Sequence, residues 1–257
     1  MGKYNSSTYR VVPLVEAIKC NQRNFDLFLS SVHSQKVIPN LLCPADDNAY
    51  FYGDDEKQLN PPKEHLMNLV KYIASKKIET FNVGSKRAYL YGFKGNEKRK
   101  AAELEALHRI DKTYTEQLLP KAWYIFEGAT NPDIYIEGED YIIVCEGKWT
   151  ESHITTKTTH LKAENENRNQ MIRHIQGVLN STDKTIYAFY IVDANCNYIG
   201  DLTEDAFKTQ LDMETIKPNN KEAILSAFYG YTTWQELEEK IDGLHFLTKE
   251  QIDCINS

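Results

Sequence analysis

Asn131-Pro132-Asp133-Ile134-Tyr135-Ile136-Glu137-Gly138-Glu139-Asp140-Tyr141-Ile142-Ile143-Val144-Cys145-Glu146-Gly147-Lys148 reads as two strands joined by a tight turn. Runs of β-branched and aromatic residues flank the turn-like tetrad Glu137-Gly138-Glu139-Asp140, which makes an antiparallel pair the economical reading. With the turn centred between Gly138 and Glu139, Asp133 faces Val144. Alternation with period two then sends Asp133, Val144, Glu146 and Lys148 to the same side of the sheet. Asp133 and Glu146 become diagonal neighbours, about 7–8 Å apart at the backbone. Tyr141 to Cys145 is apolar on both faces, as suits a central strand covered on both sides. Glu146 and Lys148 interrupt that run at its end, and buried polar groups need a reason.

Two carboxylates and an amine on one side of a sheet can hold Mg²⁺ and activate water against a phosphodiester. Mg²⁺ keeps several waters, so one or two carboxylates plus substrate phosphate oxygens complete its shell. Lys148 can stabilise hydroxide and offset charge on the pentavalent phosphate, and no protein nucleophile is required. The plain alternative is a solvated rim of ordinary surface charges near a turn, with little energetic content.

Pro132-Asp133 and Glu146-Gly147-Lys148 resemble the signature of the PD-(D/E)xK nuclease superfamily, which has the restriction-endonuclease-like fold. The resemblance implies an α/β protein with a mixed central sheet flanked by helices and a core ordered αβββαβ. It implies that Asp133 and Glu146 bind Mg²⁺, for which Mn²⁺ substitutes, that the Gly147 carbonyl is a further ligand, and that Lys148 serves the water. A 5′-phosphate product and a nucleic-acid substrate, DNA first, follow from the same resemblance.

The element order agrees with that core. Ala101, Leu104, Leu107, Ile110 and Leu118 predict an amphipathic helix over 96–119, stopped by Pro120. Residues 122–126 are expected as a first strand, the hairpin as strands two and three, Met171 to Leu179 as a helix closed by Asn180-Ser181, and 185–192 as a fourth strand. RecB-type members carry Gln-x-x-x-Tyr on the helix after the Glu-x-Lys strand. This chain has Gln170-Met171-Ile172-Arg173-His174, with His where Tyr is usual. Gln170 joins the expected catalytic set, although a bond within its own helix is the plainer role, and His174 reads as a boundary histidine. Many members also bring a Glu from the first core helix, here Glu103 ahead of Glu105. His153 reads as a loop histidine and Trp149 as a packing residue.

The net charge of −7 is unhelpful for binding a polyanion, but residues 201–257 hold twelve acids against five basic residues, which leaves 1–200 balanced. Between Lys86 and Lys100, six basic residues, Lys86, Arg87, Lys94, Lys98, Arg99 and Lys100, meet one acid, with Tyr89, Tyr91 and Phe93 interleaved. These cations, with Arg173, are the expected phosphate contacts. No phosphate-cradling Gly-x-x-x-x-Gly-Lys-[Ser/Thr], Cys-x-x-Cys, His-Glu-x-x-His or Gly-x-Ser-x-Gly occurs, so nucleotide-loop, zinc and α/β-hydrolase readings have no local support.

The chain divides by pattern into a mixed region 1–95, a nuclease-like core 96–200 and a helical region 201–257 that includes a helix from Lys221 to Ile241 interrupted near Gly230. A stretch around Leu14 to Val32 and another near Glu64 to Ser75 read as helical, and the aromatic runs at 49–52 and 88–91 as strands extending the sheet or forming a substrate-facing lobe. No apolar stretch approaches membrane-spanning length and no secretory leader is seen at the start. Five dispersed cysteines suit a reducing cytoplasm. The expected partner is nucleic acid rather than membrane, with a homodimer left open as the assembly. A nuclease-fold binding module that no longer cuts is the rival reading.

Overall fold

The hairpin forms, and the rest of the sheet grows outward from it. The structure is a computed structural model that describes residues 6–75, 104, 107–108, 110–111, 129–150, 155–157, 167–214 and 218–255. The sheet strands are β1 (Tyr50–Tyr52), β2 (Ile134–Glu137), β3 (Tyr141–Lys148), β6 (Thr185–Val192) and β7 (Phe228–Thr233), in that spatial order. β1, β2 and β3 pair antiparallel, whereas β6 lies parallel to β3 and β7 parallel to β6. A separate two-stranded ribbon joins β4 (Thr155–Lys157) to β5 (Asn167–Asn169).

Helices cover both faces. On one side α1 (Val12–Ile18), α2 (Gln22–Ser30) and α7 (Trp234–Lys240) pack Leu14, Ile18, Phe25, Phe28 and Trp234 onto Ile134, Ile136, Ile143, Cys145, Phe189 and Ile191. On the other, α4 (Gln170–Leu179), α5 (Glu204–Met213) and α6 (Lys221–Ala227) pack Met171, Ile172, Ile175, Phe207 and Ile224 onto Ile142, Val144, Ala188, Tyr190 and Val192. Neighbouring β3 residues thus serve opposite cores, which is why the strand is apolar throughout until Glu146. α3 (Lys63–Ser75) and α8 (Lys249–Ile255) complete the helices used below. Among the described residues, no helix is long and apolar enough to cross a membrane.

Three expectations change. The hairpin register is offset from the expected one: Val144 pairs with Tyr135, and Ile134 with Cys145. The turn closes through Gly138 N–H to the Tyr141 carbonyl at 3.0 Å, with Glu139 and Asp140 at its tip. Continued by one residue, that register sets Asp133 level with Glu146 instead of diagonal to it; Val144, Glu146 and Lys148 keep their common face, whereas Asp133 precedes β2 and turns its Oδ2 to the Gly147 N–H.

The place beside β2 belongs to β1, drawn from the N-terminal region, while the proposed first strand at 122–126 lies outside the described residues. Residues 221–241 are not one interrupted helix. Between α6 and α7 runs β7, whose aromatic and Thr-rich sequence suits a strand. Gly230 has φ +89°, and a Cβ there would lie 2.3 Å from the His33 carbonyl oxygen, so only glycine lets the neighbouring chain approach. The five-stranded sheet thus takes strands from both flanks of the 96–200 segment.

The helices expected around 14–32, 64–75 and 171–179 are present, the first broken between Ile18 and Gln22. Of the helix expected over 96–119, only Leu104, Leu107, His108, Ile110 and Asp111 are described; they are helical, and Ile110 is buried. The aromatic run at 88–91 lies outside the described residues.

Candidate active site

Where β3 ends, three features of its sequence become geometry. Glu146 and Lys148 point to the α4 side, and both are buried, at 3% and 8% exposure. Gly147 points to the other side, where a Cβ would come within 2.9 Å of the Trp234 ring and 3.4 Å of Asp133 Oδ2. The indole of Trp234 in turn donates to the Lys148 carbonyl at 2.9 Å and pins the strand end. Glycine between the acid and the lysine is thus a packing requirement, and it brings Asp133 close: the Gly147 N–H donates to Asp133 Oδ2 at 2.7 Å.

Helix α4 supplies the rest. Its start is fixed by Asn169, whose side chain accepts from the Ile172 N–H at 3.2 Å, so the first residue, Gln170, faces the end of β3. Glu146 Oε1 accepts from Lys148 Nζ and from Gln170 Nε2, both at 2.8 Å, and Lys148 Nζ also donates to Gln170 Oε1 at 2.8 Å. One turn further along α4, His174 Nε2 lies 2.8 Å from Glu146 Oε2, and His174 Nδ1 lies 2.9 Å from Thr130 Oγ1. Thr130 is itself held by paired backbone hydrogen bonds with Leu59, both 2.9 Å.

The electrostatics divide the two carboxyls. Burial by itself would raise the Glu146 pKa, but the bond from His174 and the ammonium of Lys148 outweigh it and hold the group at about 2. Burial raises Asp133 well above the usual carboxylate range, and the Glu146 charge raises it further, against the Gly147 N–H and Lys148. Burial also lowers His174 below its ordinary value, which the bond to Glu146 only partly offsets. Burial therefore favours the neutral imidazole. Because an ionised Glu146 only accepts, the ring proton sits on Nε2, and Thr130 donates its hydroxyl to Nδ1.

Replacing a buried ion pair by apolar groups of similar shape is often neutral or stabilising by about 1–4 kcal/mol. Stability alone is then a poor reason for Glu146 and Lys148 to occupy this position. The donor set offers hard oxygen ligands suited to Mg²⁺ or Mn²⁺, with Asp133 and Glu146 at the ends of adjacent strands. Among the described residues, no group of three or more His, Cys, Asp and Glu side chains is arranged as a ready metal cage. Any divalent ion here would rest on two carboxylates with water and substrate oxygens.

The structure brings Asp133, Glu146, Gly147, Lys148 and Gln170 together at the end of β3. Arg173 lies on α4 next to His174, with one guanidinium nitrogen 3.5 Å from the Ala129 carbonyl. Glu103 and Glu105 lie outside the described residues, as do Lys86, Arg87, Lys94, Lys98, Arg99, Lys100 and His153. Trp149 packs, as expected, with the Arg10 guanidinium 3.8 Å above its ring.

Sequence reasoning undervalued His174 and missed Thr130 and Glu56. His174 had a signal, its four-residue spacing from Gln170. Glu56, in the segment between β1 and Leu59, is raised above its ordinary pKa by burial and by the Glu146 and Asp54 charges, while its carboxylate bonds the Asn131 side chain. Nothing local in the sequence distinguishes Thr130 or Glu56, because their partners are distant along the chain. No family model, curated protein or solved structure matches this chain.

Proposed function

We propose that this protein is a metal-dependent nuclease that hydrolyses phosphodiester bonds, DNA first, on a restriction-endonuclease-like core. The observation that carries the reading is Gln170, which binds Glu146 and Lys148 at once and so ties an acid-x-lysine strand end to the following helix. The run of antiparallel β1, β2 and β3, then α4, then β6 parallel to β3, supports the same core.

Asp133 and Glu146 are the side chains that would hold Mg²⁺, which when bound supplies a Lewis acid to the scissile phosphate and lowers the pKa of a water. Lys148 offers an ammonium to the attacking oxygen and to charge gathering on the phosphate. Gln170 Oε1 accepts from that ammonium and would keep it near the strand end if Glu146 Oε1 took a cation. Burial sharpens each of these interactions, because the surroundings screen charge less than water does.

A second reading, the same fold retained for binding without cutting, draws on the three donors that already occupy both oxygens of Glu146. Incubating the full chain with single- and double-stranded DNA and RNA in Mg²⁺ or Mn²⁺ separates the two. The nuclease reading expects cleavage that requires the divalent ion and is lost in Lys148→Ala. Equal cutting by that variant, or none by the native chain, discards it.

A further inference from the structure

We propose that Thr130 and His174 are positioning residues that hold Glu146 by Oε2 and thereby reserve Oε1 for the divalent cation. The inference rests on the nuclease reading above and adds to it two side chains outside the acid and lysine signature. His174 is fully buried, so it acts on Glu146 and not on substrate. Its Nε2 has one partner in the site, Glu146 Oε2 at 2.8 Å, and its Nδ1 has another, Thr130 Oγ1 at 2.9 Å. A ring held at both nitrogens has its tautomer and its orientation fixed together. Thr130 is anchored in turn, because its N–H and carbonyl both pair with Leu59.

The two oxygens of Glu146 are therefore unequal. Oε2 faces a rigid imidazole backed by a backbone bridge. Oε1 faces Lys148 and Gln170, two side chains that also bond to each other. With a cation on Oε1, Lys148 and Gln170 could keep their mutual bond, and the ammonium would be available to an attacking water without leaving the site. His174 stays in place and prevents the carboxylate from rotating away. A histidine that merely satisfied a buried carboxylate would stabilise the fold without setting which oxygen meets the metal.

The test is calorimetric titration of the full chain with Mn²⁺, comparing native protein with Thr130→Val, which removes the hydroxyl and keeps the branched shape, and with Thr130→Ser, which restores the hydroxyl. Loss of a partner behind a ligand typically weakens metal binding by about 10- to 100-fold. Thr130→Val is expected in that range, and Thr130→Ser at the native affinity. Long-range ¹H–¹⁵N correlations of His174 in the native chain should report the Nε2–H tautomer, and this reading needs no variant to fold. Native affinity in Thr130→Val, or an Nδ1–H tautomer in the native chain, overturns the relay while leaving the metal site intact. A native chain that takes up no Mn²⁺ overturns the nuclease reading and the relay with it.

Discussion

Among the described residues, two buried ionic clusters lie against α4, and they are built differently. In one, Arg168 on β5 donates to Glu214 Oε2 from Nε at 3.0 Å, approaches His65 Nε2 at 2.9 Å, and bonds Gln176. Its partners come from the end of α5, from α3 and from α4, so one guanidinium ties three helices together. Arginine keeps its charge at any working pH and presents a rigid fork, which suits a tie and not a proton-handling or metal-exchanging role. In the other cluster, Glu146, Lys148, Gln170 and His174 come from one strand and the helix packed on it, with Thr130 behind. It joins few distant elements, yet it gathers titratable and ligand-forming groups and lies beside a second carboxyl, Asp133. Each cluster sets a glutamate, a glutamine and a histidine around one buried cation; on the nuclease reading, lysine in place of arginine and the neighbouring Asp133 separate a reactive site from a structural tie.

The comparison breaks first at Arg168. Arg168→Met leaves Glu214 buried without its cation and should cost roughly 3–5 kcal/mol. It should lower the urea midpoint strongly while leaving Mn²⁺ affinity per folded molecule unchanged. Lower Mn²⁺ affinity would merge the two clusters into one system. Lys148→Met also leaves a buried carboxylate, Glu146, without its cation and should lower the urea midpoint, but unlike Arg168→Met it should in addition reduce divalent-dependent cleavage per folded molecule by about 10²- to 10³-fold. Full cleavage rates in that variant would strip Lys148 of its chemical role.

Gly147→Ala tests the packing that brings the site together. The added methyl meets the Trp234 ring at 2.9 Å, so the strand end or the indole must shift. A loss of about 1–3 kcal/mol is expected from such overpacking, measured by thermal melting, together with weaker Mn²⁺ binding as Asp133 is displaced. An unchanged melt would mean that the Trp234 contact is soft.

The smallest effect is expected from Asp133→Asn in the absence of metal. The folded state raises the Asp133 pKa, chiefly by burial, and so holds a proton that the unfolded chain has released above about pH 4. Native stability from this group therefore falls as pH rises from there through the raised value. An Asn oxygen still accepts the Gly147 N–H and carries no charge, so the variant should gain stability over native protein at pH 8. The gain should vanish near pH 4. Urea midpoints at the two pH values check the sign, and a destabilised variant at pH 8 would contradict the burial argument.

Most of the site and about half of the sheet were legible because they are written locally. The two runs of the hairpin, the helix with Gln170, and β6 each announce themselves by periodicity within a few residues. The register was misplaced because Gly138 drew the turn centre toward itself, whereas Glu139 and Asp140 form the tip. β7 was hidden among residues with a helical pattern on both sides, and its glycine marks a close chain approach visible only in three dimensions. β1 could be suspected as a strand, but its place beside β2 depends on pairing Tyr50 with Ile136, far apart in sequence. Thr130 and Leu59 escaped for the same reason, and with them the support behind His174.

A crystal of the native chain soaked in Mn²⁺, with anomalous scattering recorded, tests the central claim most directly. The account predicts one anomalous peak within coordination distance of both Asp133 and Glu146 Oε1, with Lys148 withdrawn from Glu146 and His174 unmoved. A peak elsewhere, or an intact Lys148 to Glu146 bond with no peak beside it, would contradict it.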